Sequence, residues 1–436
     1  MRRLILAEKR DIPPFNEPAR ELRVMNKPLW LTHRDVLAPY CDQELNLVSL
    51  ERMPDDRMET IVYRDNLFFD QEFIDAFIAK ARQQGKACRV AFALDDQAIV
   101  HHAIQFQRGI HREGDVYVAD LWYFPFGKDP NIRPLVIDTE AREIGYYRVP
   151  SYMASESGDL TYQVPLKAFM AIEHWVHLYI ANSIFGLFAR GARFEQIAGK
   201  RLDAKLHSLW RAMLERKQVL RSSAAVKIGK NTYVDPAAAI LGPATIGANC
   251  NIGAGAVIDN SIIGDNVTVG QDCQILLSVV CDRCFLPFRS ALFMTTLMEN
   301  SIVAQNTCLQ MCVIGRNSFV GAGTTFTDFN LLPAPLRALN SDDELEDTGQ
   351  PVLGSCVGHN ARLGSGLIVM PARVIESDVV LFASPERRVI NRNVMYEESD
   401  HHKVRASVAK QHRRRYPRDV DAGDAIQMDK LYRDEW

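Results

Sequence analysis

Five polar side chains close together in the sequence can move protons or hold an anion: Asp328, Asn330, His359, Asn360 and Arg362. An imidazole titrates near neutral pH, so His359 can serve as a lone general base. A guanidinium grips phosphate with two parallel N–H bonds, so Arg362 can hold the phosphate of a nucleotide or an acyl carrier. Each also has a plain reading as a solvent-facing corner residue. Thiols form a second group. Cys281 and Cys284 make a C-x-x-C, and Cys308 and Cys312 a C-x-x-x-C. Four thiolates can bind zinc. No second C-x-x-C follows at finger spacing, however, and small thiols also suit a packed interior, so no metal is expected.

The element that must position these residues is written in a six-residue period. Ile228, Val234, Ile240, Ile246, Ile252 and Ile258 recur at that interval. A helix repeats every three or four residues and a strand every two, so neither accounts for it. A hexad marks a parallel β-helix, in which each short strand is one face of a coil and its aliphatic residue points inward. Glycine often follows, as in Ile246-Gly247, Ile252-Gly253 and Val269-Gly270, where a Cβ would crowd the bend. The period slips by one at Ile263, continues through Val269 and Ile275, and returns at Ile314, Val320, Val357, Leu363, Val369 and Ile375. His359 is the only histidine in this region, too few for a three-histidine metal centre such as that of a γ-type carbonic anhydrase.

The fold class expected is an α/β N-terminal domain, a helical linker and a left-handed parallel β-helix. The boundaries fall at 1–155 for the α/β domain, 156–222 for the linker, 223–392 for the β-helix and 393–436 for a charged tail. Leu4–Ala7, Arg89–Ala93 and Val116–Ala119 read as strands. Asp70–Arg82 reads as an amphipathic helix with Phe73, Phe77 and Ile78 on one side. Residues 165–220 read as helical, Ile172, Trp175 and Tyr179 sharing one face and Leu202, Leu206, Leu209 and Met213 another. Two stretches break the hexads. Phe285–Asn300 is apolar with poor period and reads as an exposed interface patch. The stretch 327–351 is polar and reads as a loop leaving the coil, of a length that is often functional. The tail reads as a solvated helix.

Composition narrows the class. Hydrophobic residues make up 47% and charged residues 24%, with a formal net charge of -3. That balance is ordinary for a globular chain and gives no sign of a nucleic-acid partner. The apolar run at Leu4–Ala7 is too short for a signal peptide. Lys167, Glu173, His174 and His177 interrupt the most apolar helix candidate, so no membrane span is expected. The expected location is cytoplasmic.

Two motifs carry a resemblance. Val320-Gly321-Ala322-Gly323-Thr324-Thr325-Phe326-Thr327-Asp328 is followed by Glu346-Asp347-Thr348-Gly349. Then comes Leu353 to Gly364, ending Gly358-His359-Asn360-Ala361-Arg362-Leu363-Gly364. The order resembles that of the left-handed β-helix sugar-nucleotide transferases. These include the bifunctional N-acetylglucosamine-1-phosphate uridylyltransferases/acetyltransferases and their divergent relatives described as sugar nucleotidyltransferases. There a G-A-G-T coil leads into an extended loop, a D-T-G and a G-D-H-A-K-T-G coil. Ile12 to Val24 and the stretch around Trp175, Leu178 and Asn182 also look like that family's opening segment and linker.

The resemblance implies acyl or nucleotidyl transfer to a sugar phosphate or nucleotide sugar, at a β-helix site shared between subunits of a homotrimer. It implies acetyl-CoA or another acyl donor, or a nucleoside triphosphate with Mg, as co-substrate. It adds Thr324 to the candidate substrate- or cofactor-binding set of Asp328, Asn330, Asn360 and Arg362, with His359 as the candidate base. Three departures count against a specific reaction. No glycine-rich phosphate loop follows the first strand, where Glu8-Lys9-Arg10-Asp11 stands instead. Arg20, Arg23 and Lys27 are the candidates to replace its charge. The region before the G-A-G-T coil, Ala304 to Cys312, holds no histidine to act as base. His359 and Asn360 stand where the family has aspartate and histidine. A non-catalytic trimeric scaffold or regulatory relative is therefore the alternative.

Overall fold

The computed structural model describes residues 1–147, 160–200, 210–211, 213–215, 222–331, 334–340, 344–404 and 412–418. It divides into two units. One comprises Met1–Arg10, Pro18–Arg193 and Leu339–Pro351; the other comprises Asp11–Glu17, Phe194–Ala338 and Val352–Trp436.

The first unit is α/β. Its seven-stranded mixed sheet is built from β1 (Arg2–Leu6), β2 (Gln43–Leu47), β3 (Thr60–Arg64), β4 (Cys88–Ala93), β5 (Ile110–Glu113), β6 (Val116–Phe124) and β7 (Arg133–Val136). The order is β7-β4-β6-β3-β1-β2, with β5 beside β6. β1 lies parallel to both β2 and β3, whereas β6 is antiparallel to β3, β4 and β5. Helix α1 (Leu29–Leu37) links β1 to β2 on one side, and the chain then enters β3 on the other. Such a reversal of strand order is where open α/β sheets bind ligands, at the carboxyl ends of the strands.

Helix α2 (Gln71–Gln84) buries Phe73, Ile74, Phe77 and Ile78, the apolar side expected from the sequence. Asp70 is its N-cap, and Gly85 ends it at φ 64°, where only glycine is unstrained. The stretch expected to be helical from 165 begins instead with a strand, Phe169–Ala171, paired with Leu67–Phe69. Helix α3 (Trp175–Asn182) follows, capped by His174 and buried on all sides, and runs on through a wider π-helical turn, Ser183–Phe188. Its all-round burial, rather than one apolar face, marks it as a core element. Leu202, Leu206 and Leu209 lie outside the described residues.

The second unit is the left-handed parallel β-helix, with three eight-stranded parallel sheets as its faces. One inward column runs Ile228, Ile246, Ile263, Val280, Leu297, Ile314, Val357 and Ile375. Another runs Ile240, Ile258, Ile275, Leu292, Leu309, Phe326, Val369 and Ile390. Phe285–Asn300 does not leave the coil. Leu286, Leu292 and Leu297 take the inward places, and Met294 and Met298 are buried as well. Of the apolar residues in the expected patch, only Phe285 and Phe288 are strongly exposed. The period looked broken because coils here repeat every 17 residues, one short of three hexads, and leucine replaces isoleucine.

The corners have their own code. Asn231, Asn249, Asn266, Arg283, Asn300, Asn317, Asn360 and Asp378 stack on one corner, all at positive φ. Asparagine is the non-glycine residue that tolerates this region best. Just before it, side chains receive backbone N–H groups from the previous coil: Asp265 from Ala248 at 2.7 Å, and Asp282 from Asp265 at 2.9 Å. Small hydroxyls and thiols fill the inward corners. Ser261, Ser278, Thr295 and Cys312 form one such column, each accepting or donating along the stack.

The described tail residues are not α-helical. Tyr396–Glu398 and Asp400–Lys403 are short 3-10 turns that continue the corner chemistry, Ser399 Oγ accepting from Val380 N at 2.8 Å and Asp400 Oδ2 from Phe382 N at 2.7 Å. Arg405 and Lys410, which belong to the charges behind the solvated-helix reading, lie outside the described residues.

Candidate functional site

The α/β unit contains a cavity of about 280 Å³. It lies on the face of the sheet that carries Arg3 and Ile5 of β1, Glu44 of β2 and Tyr63 of β3, with Trp30, His33 and Arg34 of α1 also lining it. Period-2 alternation puts Arg3 and Ile5 on the same face of β1, and the parallel registers Arg3↔Glu44 and Ile5↔Tyr63 align their neighbours. Arg20 and Asp65 complete the lining, Asp65 directly after the carboxyl end of β3. The cavity therefore reaches the point where the strand order reverses.

Its electrostatics follow from the pairs. Arg3 Nε donates to Glu44 Oε2 at 2.7 Å, and Arg20 Nη1 to Asp65 Oδ2 at 3.2 Å. Burial pushes the His33 imidazole down to about 4, so it is neutral near pH 7 and its Nε2 faces the Leu67 carbonyl. Burial pushes the Asp65 carboxyl up, against the pull of Arg20. Arg34 is exposed, and it leaves the lining with a surplus of positive charge. Trp30 is 37% exposed and offers a flat apolar face. A ring carrying hydroxyls and a phosphate matches this mixture of carboxylates, guanidinium groups and indole.

Of the three phosphate candidates, only Arg20 lines the cavity. Arg23 Nη1 is bound to the Asn26 carbonyl at 2.8 Å, and Lys27 Nζ to Asp35 at 2.5 Å. Sequence reasoning missed Arg3, Trp30 and Arg34. The alternation of Arg3 with Ile5 in the first strand was the available signal.

On the β-helix the candidates separate into buried and exposed sets. Thr324 belongs to an inward column, its Oγ1 donating to the Gly364 carbonyl at 3.2 Å as Thr307 does to Gly321. Asn360 is a corner asparagine whose Nδ2 donates to Asp378 Oδ1 at 2.6 Å. Arg362 faces outward, in register with exposed Phe319. Asp328 is half-buried, its carboxyl raised by desolvation, and Asn330 Nδ2 reaches the Ala334 carbonyl at 3.3 Å.

His359 is fully buried. Its Nδ1 accepts from Arg316 N at 2.9 Å, the corner role that Asp265 and Asp282 play in earlier coils. Its Nε2 meets Glu17 Oε1 at 3.0 Å, and Arg316 grips the same carboxylate at 2.7 and 2.6 Å. The ring lies between Phe15, 5.0 Å away, and Tyr416, 4.7 Å away. Burial is the main force lowering its basicity, with Arg316 adding to it and Glu17 and Glu299 opposing it.

Cys284 and Cys312 fall into the packing columns, whereas Cys308 is half-buried beside the inward Leu309. Cys284 Sγ donates to the Met298 carbonyl at 3.1 Å and Cys312 Sγ to the Gln310 carbonyl at 2.9 Å. No group of three or more histidines, thiols or carboxylates able to hold a metal occurs among the described residues. No helix among them is long and apolar enough to cross a membrane.

Residues 225–260 match the family model for the bacterial transferase hexapeptide, described as six repeats. They correspond to the first coils, from Ala225 to the corner at Asn260. A search of curated proteins gave no match to the chain.

Proposed function

We propose that this chain is a transferase of the hexapeptide class that acts on a sugar phosphate or nucleotide sugar, by acyl or nucleotidyl transfer, as a homotrimer in the cytoplasm. The observation that carries this reading is the hexapeptide match at 225–260, in the same chain as an α/β unit whose guanidinium-lined cavity suits a phosphorylated ring. In this reading Arg20 and Arg34 hold the phosphate, Trp30 covers the ring, and Asp65 accepts its hydroxyls. On the β-helix, Asp328, Asn330 and Arg362 are the members of the sequence-derived set that a substrate can reach. Acetyl-CoA, or a nucleoside triphosphate with Mg, is the co-substrate class.

A ligand panel tests it. Nucleotide sugars, sugar phosphates, acetyl-CoA and nucleoside triphosphates with Mg are added separately while the melting temperature is followed. A ligand at 100 times its Kd adds about 2.7 kcal/mol to stability. A shift with a phosphorylated sugar, followed by turnover when a donor is added, supports the reading. Indifference to the whole panel removes it.

One observation favours the alternative, a non-catalytic trimeric scaffold or regulatory relative. His359 is shut inside the coil corner with both ring nitrogens engaged, so the only histidine of the repeats does not face a substrate. Binding without turnover of any donor is the outcome that selects this second reading.

A further inference from the structure

The segment Asp11–Glu17 is a hook on the β-helix. The Pro14 carbonyl accepts from Ser377 Oγ at 2.7 Å and from Ser377 N at 3.1 Å. Asn16 Nδ2 donates to Glu376 Oε1 at 3.0 Å and to the Tyr416 carbonyl at 2.9 Å. The backbone there is close enough that a Cβ on Gly358 would fall 2.5 Å from the Pro14 oxygen. The hook ends in Glu17, whose carboxylate is shared between Arg316 and His359. Its sequence neighbours on both sides, Arg10 and Pro18, belong to the α/β unit.

The chemistry of His359 sets one condition on this hook. Nδ1 accepts a backbone N–H, so it must carry no proton, and Nε2 must carry the proton donated to Glu17. A second proton has nowhere to go. On Nδ1 it would point at the Arg316 N–H, donor against donor, in a site without water access. The corner thus admits only the neutral imidazole in one tautomer.

We propose that the Asp11–Glu17 hook is an acid-released latch, with protonation of His359 at Nδ1 as its trigger. The groups facing the ring are Glu17 on the hook, Arg316 and Glu299 on the preceding coils, and Tyr416 on the C-terminal segment. Ser377 Oγ accepts the His359 backbone N–H at 2.8 Å. Glu376 holds both Asn16 and Arg418 beside them. Glu17 itself is held below the usual carboxylate range by His359 and Arg316, against desolvation. Both depressed groups act in one direction. Their contribution is complete above the unfolded pKa and is lost as pH falls, His359 from about 6.5 downward and Glu17 from about 4.3 downward. The loss through the histidine therefore begins at the higher pH, where the unfolded imidazole starts to take up its proton. Release uncovers Ser377 and the side of Arg316 that gripped Glu17, while Arg316 keeps its pair with Glu299 and Glu376 its pair with Arg418.

The test is hydrogen exchange of the full chain, corrected for intrinsic rates, read on the amides of 11–17. The expected result is a loss of protection of about tenfold or more, with a midpoint below about 6.5 and above about 4.3. The coils around Ile263 keep their protection. In His359→Asn the side-chain oxygen can still accept the Arg316 N–H, as Asp282 does for Asp265, and the loss in this window is expected to disappear. Ring-labelled His359 in the unaltered protein gives a second readout, in which Nδ1 must gain its proton over the same pH range as the release. A hook that stays protected to about pH 4 overturns the latch. So does release of His359→Asn at the parent's midpoint, or a ring that titrates while the hook is still protected.

Discussion

The imidazole of His174 lies flat on the ring of Phe106, with centroids 4.2 Å apart and planes 13° from parallel. His174 Nδ1 accepts from Val176 N at the start of α3, and its Nε2 meets the Leu339 carbonyl at 3.0 Å. The acidic strap that begins at Leu339 is thereby held within the α/β unit. Glu346 Oε1 holds it again, accepting from Phe106 N at 3.0 Å.

That geometry needs a neutral ring, and the unit contains several. Burial pushes His33 and His177 down to about 4, and His102 and His174 down to about 3. Each contributes stability that is complete above the unfolded value of about 6.5 and is lost as pH falls toward the folded value. A fall from about 6.5 to about 4 or 3 corresponds to roughly 3–5 kcal/mol per group as an upper bound. The α/β unit is therefore expected to melt at sharply lower temperature as pH is taken from 7 to 5. A melting temperature that stays level over that range, followed by tryptophan emission, would contradict it.

The hexad positions differ in burial, and the same substitution should sort them. Ile246 is 1% exposed and Ile228, on the first coil, is 50% exposed. Ile246→Asp puts an unpaired carboxylate in the core and is expected to cost at least about 4 kcal/mol, with loss of soluble protein. Ile228→Asp is expected to cost under about 1 kcal/mol. Denaturant midpoints of the two variants check this, and equal midpoints would mean the register is wrong.

Corner glycines separate crowding from conformation. A Cβ on Gly270 would fall 1.6 Å from the Pro287 carbonyl oxygen, whereas one on Gly323, at φ 68°, meets nothing within 4 Å. Gly323→Ala is expected to cost about 1 kcal/mol, the ordinary penalty for a left-handed alanine. Gly270→Ala must push two backbones apart and is expected to cost more than about 3 kcal/mol. Thermal melts in one buffer provide the comparison.

Binding in the cavity can be read on Trp30. Arg20→Ala is expected to weaken a phosphorylated ligand about tenfold, and Arg34→Ala by a similar factor, because each removes one charge-assisted contact. Lys27→Ala, whose ammonium is already paired with Asp35, is expected to change affinity by less than about twofold. Fluorescence titrations of the three variants check the order. Equal losses in all three would move the anion site out of the cavity.

The β-helix was legible because its core is one-dimensional. Each inward residue meets its counterpart one coil away, so the period survives in the sequence even where Leu286 and Leu292 replace isoleucine. The corner asparagines repeat the same signal, and their spacing from Asn249 to Asn266 marks the 17-residue coil. The His359 corner was not legible, because Glu17 is 342 residues away in sequence and nothing local announces the pairing. The cavity escaped for a related reason. Arg3, Glu44 and Tyr63 are neighbours only through the strand order β2-β1-β3, and sequence spacing does not fix that order.

The two ends of the solenoid are finished differently. At the far end, Ser399 and Asp400 cover the backbone N–H groups of Val380 and Phe382. At the near end, Val226–Ile228 and Tyr233–Val234 each pair on one side only among the described residues. They present an edge on which another molecule's strand could continue the stack. Ile228 and Tyr233 on it are exposed, an invitation to fibre-like growth. Lys227 and Lys230, also exposed on this coil, place positive charge at that edge. Two such ends repel when they meet, which opposes end-to-end extension of the coils.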